Sequence, residues 1–283
     1  MKTRILSLVL VVGCTIVQTA LADTQRRNID GIADNSFLVE EAYNQTPGVV
    51  QHIFNAHYEV PRTSRSSDRS WELAFTQEWP FLSQQHQLSY TVSHLFVREN
   101  GRSTEGIGDV ALHYRYQAFF DEETLTAFAP RLSVILPTGD ADKGFGEDSV
   151  GYQVNLPFST TFGDKWFLHL NAGATFIPDA ASLSDRDAWN INLGASVIYA
   201  ATEDLHFLVE WIGDWDSTLL SSDKIQKRFS TIAMPGVRKA FNFKTGGQLV
   251  LGLGIPIGLN AAAPDIGAFL YLSFEHAFRE SSE

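Results

Sequence analysis

Val150-Gly151-Tyr152-Gln153-Val154-Asn155-Leu156-Pro157-Phe158-Ser159-Thr160-Thr161-Phe162 repeats with a period of two. Val150, Tyr152, Val154, Leu156, Phe158, Thr160 and Phe162 make a nearly apolar face, against Gly151, Gln153, Asn155 and Ser159 on the other. Side chains alternate across a strand, so this is a strand with one apolar and one polar face. Past Gly163-Asp164 the pattern restarts, with Trp166, Leu168, Leu170, Ala172, Ala174 and Phe176 against His169, Asn171, Gly173 and Thr175. It restarts again with Trp189, Ile191, Leu193, Ala195, Val197 and Tyr199 against Asn190, Asn192, Gly194 and Ser196.

Working outward, the same alternation marks strands near 49–60, 71–79, 87–96, 110–117, 128–136 and 205–211, with weaker ones near 229–240 and 245–256. The last strand turns Ile266, Ala268, Leu270, Leu272, Phe274, His276 and Phe278 outward, and Phe269, Tyr271, Ser273 and Glu275 inward. Short links are expected near 83–85, 121–123, 163–164, 201–204 and 241–243, and longer polar ones near 61–70, 98–107, 137–149, 178–187, 213–228 and 257–265. Alternating short and long connections between strands of about ten residues predict an all-β, transmembrane up-and-down antiparallel β-barrel of about twelve strands. An even count puts both ends at the short-turn, periplasmic side. In hydrocarbon no strand edge can stay unpaired, so the sheet must close. Trp79, Phe162, Trp166, Phe176, Trp189, Tyr199, Trp211 and Phe278 fall at strand ends on the apolar faces, where a membrane barrel seats its interfacial aromatics.

The N-terminus supports export. Lys2 and Arg4 precede an apolar run over residues 5–17, and Ala20-Leu21-Ala22 forms a small-x-small cleavage site, so residues 1–22 are expected to be a signal peptide. Val11-Val12-Gly13-Cys14 also has the form of a lipoprotein box, but the apolar run continues past Cys14. The domain plan is then 1–22 signal, 23–47 an extended N-terminal segment, 48–278 the barrel and 279–283 a short tail. Residues 23–47 can be a periplasmic strap or a lumen plug. Removing Lys2 and Arg4 from 21 basic residues leaves 19 against 33 acidic ones, a formal charge of −14, which repels nucleic acid. Past residue 22 no apolar run is long enough for a membrane helix.

Gly106-Ile107-Gly108-Asp109 before Val110-Ala111-Leu112-His113-Tyr114-Arg115-Tyr116, with Leu136-Pro137-Thr138-Gly139-Asp140 closing the next hairpin, resembles the family of outer-membrane proteins named for the meta-pathway of phenol degradation. The resemblance implies a barrel that takes up small, aromatic or apolar compounds. Locally, Gly106 and Gly108 are expected to permit positive φ, and Asp109 to bond backbone amides. Pro137 and Thr138 suit a strand end, and Gly139-Asp140 a turn.

The inward positions predict a polar lumen: Gln51, Asn55, Glu59, Glu72, His113, Arg115, Gln117, Arg131, Gln153, Asn155, His169, Asn171, Asn190, Asn192, Glu210, Arg238 and Glu275. An ion ladder from Arg115 and Arg131 to Glu72 reads equally as a solute-selecting constriction or as a structural network filling a narrow barrel. The expected function is passive passage of small solutes. The alternatives are an outer-membrane lipid hydrolase, or a structural or adhesive barrel acting through its loops. Asn100-Gly101-Arg102-Ser103 resembles the active-site segment of outer-membrane phospholipases A. Those enzymes carry histidine two residues before the serine, whereas His94 stands nine before Ser103. The acidic loop 139–148 lacks the order of a calcium loop. No catalytic, cofactor or metal site is implied. The expected partners are outer-membrane lipid and lipopolysaccharide, the barrel-assembly machinery through the C-terminal strand, and an unidentified solute.

Overall fold

In a computed structural model, the described residues are 36–60, 68–220, 224–244 and 246–277. The expected signal peptide, the Phe278 terminus and the tail lie outside them. Twelve antiparallel strands close into a barrel. They are β1 (Val49–Val60), β2 (Arg69–Phe81), β3 (Ser83–Glu99), β4 (Arg102–Ile107, Val110–Tyr116 and Phe119–Asp121), β5 (Thr126–Phe128 and Arg131–Leu136) and β6 (Gly151–Asn155 and Phe158–Phe162). Then come β7 (Trp166–Ala180), β8 (Arg186–Thr202), β9 (Leu205–Leu219), β10 (Ile225–Asn242), β11 (Gln248–Gly254 and Ile257–Gly258) and β12 (Ile266–Ala277).

Each strand pairs with its sequence neighbours, and β1 pairs with β12 from Val49↔Ala277 to Val60↔Ile266. Neither edge of the sheet is therefore left unpaired. The breaks within β5, β6 and β11 fall at Pro130, Pro157 and Pro256. Proline has no ladder N–H, but each of these carbonyls still accepts a bond, from Tyr116, Ala129 and Gly267 respectively.

The outer wall carries Phe54, Leu73, Leu112, Leu132, Tyr152, Val154, Leu170, Ile191, Val209 and Leu253, all exposed. Aromatic pairs ring one rim, the end carrying the long connections: Tyr58–Trp71, Phe176–Trp189 and Trp215–Phe229 have ring centroids 4.7, 4.5 and 4.4 Å apart. That apolar band between aromatic rims is the surface of a membrane barrel.

Several connections differ from expectation. The loop expected over 98–107 is a tight hairpin, because Asn100 and Gly101 adopt φ of 51° and 81°, the left-handed pair that a two-residue turn needs. Most of the loop expected over 213–228 is strand, since Asp214 and Asp216 alternate with outward Trp215, and Arg228 with Phe229. The link expected at 83–85 is the single residue Leu82, at φ 66°.

Candidate channel lumen

Residues 36–48 enter the barrel. Of the two fates open to residues 23–47, the described part is inside the lumen, where it fills the short-turn half. Coming from β1, Gln45 donates its backbone N–H to Gln87 Oε1 (2.7 Å), while its side-chain amide donates to Gln51. Asn44 Nδ2 donates to Gln84 O at 2.8 Å, and Tyr43 Oη reaches Leu125 O in the β4–β5 turn. Ala42 donates N–H to Ser159 Oγ (2.8 Å), which in turn bonds His169, and Gln117 donates to Ala42 O (2.9 Å).

The deepest anchorage is at residues 37–40. The carboxyl group of Glu210, fully buried on β9, accepts the backbone N–H groups of Phe37 (2.9 Å), Leu38 (2.8 Å) and Val39 (3.3 Å). An extended segment without its own ladder must find such partners, because buried amides are costly to leave unpaired. The Phe37 ring packs at a tilt against Phe269 and Tyr271, both centroids 5.4 Å away. It fits because Gly236 and Gly252 leave a hollow: an added Cβ would lie 2.6 and 2.4 Å from the ring.

Glu40 joins the luminal arginines. Arg115 Nη1 lies 2.9 Å from Glu40 Oε1, and Arg131 Nη1 3.2 Å from Oε2. Arg115, only 2 % exposed, also donates to Asn44 Oδ1 and to the carbonyls of Glu41 and Tyr43, with Glu78 at 3.8 Å. Asn155 donates to Glu40 Oε2 (2.8 Å), and Asn171 clamps the Glu40 backbone at both N–H and C=O. The expected ladder is thus corrected. Arg115 and Arg131 meet through Glu40, with Glu78 beside them, whereas Glu72 sits exposed at the far rim opposite His57.

Above this segment is a vestibule of about 590 Å³, open toward the long connections. Residues 36–40 floor it, and Asn55, Glu59, His113, Arg131, Gln153, Asn155, Asn171, Asn190 and Asn192 line it. Gln153 links Arg131 to Thr175, and His113 lies between Thr91 and Ser133. Glu59 pairs with His57 at 3.3 Å. Arg238 lies against His206 in the lower half, and Glu275 pairs in register with Gln51 and Gln248 at the short-turn end. Sequence reasoning missed Glu40, Asp214 and Asp216 as luminal groups, while alternation along the strand near 71–79 already puts Glu78 on its polar face. The signal for the first was Phe37-Leu38-Val39-Glu40-Glu41, an apolar triplet and two carboxylates ahead of a barrel whose lumen already held two arginines.

Gly106-Ile107-Gly108-Asp109 clasps a rim loop. Asp109 accepts the N–H groups of Gly139 (2.8 Å) and Glu147 (3.0 Å), and Thr138 Oγ1 accepts from Val110 N. The expectation of positive φ at Gly106 and Gly108 is corrected, because neither is left-handed. They are glycine for space: a Cβ at Gly106 would lie 2.6 Å from the buried ring of Phe145, and one at Gly108 2.6 Å from Ser93 Oγ. Asp140 caps the turn Ala141–Lys143 and pairs with Lys143 Nζ at 2.6 Å. Pro137 follows the end of β5.

Residues 39–275, most of the chain, match the family described as "Putative MetA-pathway of phenol degradation". The chain belongs to that family. The matched region of this phenol-pathway family member begins inside the luminal segment, so it includes Glu40 as well as the clasp. In fold it is similar to an outer membrane channel of Pseudomonas putida F1, at 15% identity and a TM-score of 0.61, with 84% of this chain and 98% of that chain covered. Weaker likenesses are to the KdgM porin in complex with disordered oligogalacturonate (9% identity, TM-score 0.44, 82% and 99% covered) and to the β domain of a Bordetella autotransporter (12%, 0.49, 82% and 99%). No curated protein matches the chain in sequence.

Proposed function

We propose that this protein is a passive outer-membrane channel for small solutes, held closed by its own N-terminal segment, with the short turns and both chain ends in the periplasm. The observation that carries the reading is the lumen, whose polar residues spend their hydrogen bonds on residues 36–45 and leave a vestibule above them. A barrel serving only as a wall or an adhesive scaffold has no need of an occupant with backbone on its axis and an open chamber on one side. The vestibule pairs amide and hydroxyl side chains with the apolar Leu38, Ile53, Ile212 and Ile232, a lining suited to small solutes with both an apolar body and polar groups. Such solutes include the hydroxylated aromatics that the family name suggests.

The hydrolase alternative has no geometric support. Ser103 pairs with Arg98, and His94 with Ile107, so the two lie four residues apart along the hairpin, roughly 13 Å and out of hydrogen-bond reach.

Cys14 is the sequence's one cysteine, so a disulfide can be introduced cleanly. Ser36 Oγ and Ser196 Oγ are already in contact. In planar bilayers the oxidised Ser36→Cys/Ser196→Cys protein is expected to stay closed, and reduction to restore discrete conductance steps. Equal conductance in both states would refute gating by this segment, and no conductance from either the reduced or the wild-type protein would refute the channel itself.

A further inference from the structure

On the outer wall, at the rim with the long connections, β2, β3 and β4 enclose a groove of about 630 Å³ lined by Arg69, Trp71, Leu73, Phe96, Arg98 and Glu105. Cross-strand register sets its layout. Trp71 pairs with Phe96, and the next outward-facing pair toward the rim is Arg69 with Arg98. Two arginines directly opposite one another repel, which destabilises the pairing unless an anion lies between them. Both are exposed, and among the described residues neither has a carboxylate partner. Glu105 stands one row lower, opposite Phe96, and leaves the groove with a net positive rim.

Height decides which anion this is. Trp71, packed at a tilt against Tyr58, belongs to the aromatic rim that marks the membrane interface. Arg69 and Arg98 lie two residues further along their strands, about 7 Å beyond it, at headgroup level. Elsewhere on the same rim the equivalent step beyond Trp215–Phe229 is Ser217 opposite Lys227, where the ammonium already bonds the serine.

We propose that this groove binds a phosphorylated glycolipid of the outer leaflet. Arg69 and Arg98 clamp one phosphate, Trp71, Leu73 and Phe96 carry an acyl chain, and Glu105 accepts from a sugar hydroxyl. Guanidinium groups suit the phosphate because each offers paired donors in a plane. A carboxylate at sugar height distinguishes a glycolipid from a simple anionic phospholipid. The inference rests on the outer-membrane orientation proposed above but not on channel activity, so binding and conductance can fail separately.

The test is native mass spectrometry of the full-length protein in detergent, titrated with bisphosphorylated lipid A, dephosphorylated lipid A, phosphatidylglycerol and pyrophosphate. One bisphosphorylated lipid A is expected to be retained. Removing its phosphates, or substituting Arg69→Gln/Arg98→Gln, is expected to weaken binding roughly a hundredfold, about tenfold per charge-assisted contact. Lys227→Gln is expected to have no effect. The comparison of phosphorylated with dephosphorylated lipid on wild-type protein needs no variant. Equal binding of the two, phosphatidylglycerol or pyrophosphate binding as tightly as lipid A, or unchanged affinity in a heat-modifiable Arg69→Gln/Arg98→Gln barrel would each overturn the proposal.

Discussion

Replacing Glu210 with alanine removes the one side chain that holds three consecutive amides of the luminal segment. Two of its bonds, from Phe37 and Leu38, are near 2.9 Å, and the third, from Val39, is long at 3.3 Å. Counting the good bonds at about 1–1.5 kcal/mol each, with a small share for the third, gives about 3 kcal/mol. These contacts exist only while the segment is seated, so their loss shifts the equilibrium by their full value. Seated-to-released ratios are expected to fall roughly a hundredfold. Glu210→Gln keeps one acceptor oxygen and is expected to fall about tenfold. The measurement is the labelling rate of Val39→Cys with a water-soluble maleimide in folded, detergent-purified barrel, run beside single-channel open probability. Both are expected to rise in the order wild type, Glu210→Gln, Glu210→Ala. If labelling and open probability in Glu210→Ala match wild type, Glu210 does not hold the segment and the energetic argument fails.

Arg115→Ala strips four contacts from the segment and leaves the Glu40 carboxylate with Arg131 and Asn155; breaking a buried pair costs about 3–5 kcal/mol, so the temperature at which the folded band disappears on unheated-sample gels is expected to drop. Gly106→Val drives a side chain into Phe145; at about 1–3 kcal/mol for such overpacking, trypsin is expected to cut after Lys143 about tenfold faster, while cleavage elsewhere is unchanged. At the exposed turn Ala141–Lys143, the hydrogen bond from Lys143 and its charge hold the Asp140 carboxyl below its ordinary 3.8. The folded value is the depressed one, so the support is full at neutral pH and is lost as pH falls through that lowered value. Protection of the Lys143 amide, corrected for intrinsic exchange, is therefore expected to hold through pH 3.8 and to fall only below it, whereas in Asp140→Asn, which keeps an accepting oxygen without the titrating charge, it is expected not to change with pH.

Strand periodicity made the barrel legible because lipid and lumen impose opposite demands on alternate residues, so Val150 to Phe162 announced both faces at once. The same signal weakened above the membrane, where Asp214 and Asp216 meet water on the inside and only Trp215 keeps the alternation. Asn100-Gly101 was a hairpin turn in plain view, hidden by the polar Arg98, Glu99 and Arg102 around it. The luminal residues could be named from parity alone, but not their partners. Which carboxylate meets Arg115 depends on strand stagger and on a segment with no periodicity of its own, so Glu40 took the place expected for Glu72. The glycines of the clasp were visible, and their reason was not, since the ring that crowds Gly106 lies 39 positions away in the chain.

The luminal segment is synthesised before every strand, yet its partners come late: Glu40 bonds a residue 131 positions downstream and Phe37 one 173 downstream. Contacts of such separation form after local hairpins have paid for chain closure. Residues 36–40 therefore cannot be fully seated until β9 has been made. Until β7 and β9 are in place, the backbone N–H groups of Glu40 and Phe37 lack these partners, and closure of β1 on β12, 228 positions apart at Val49↔Ala277, spans a longer separation still.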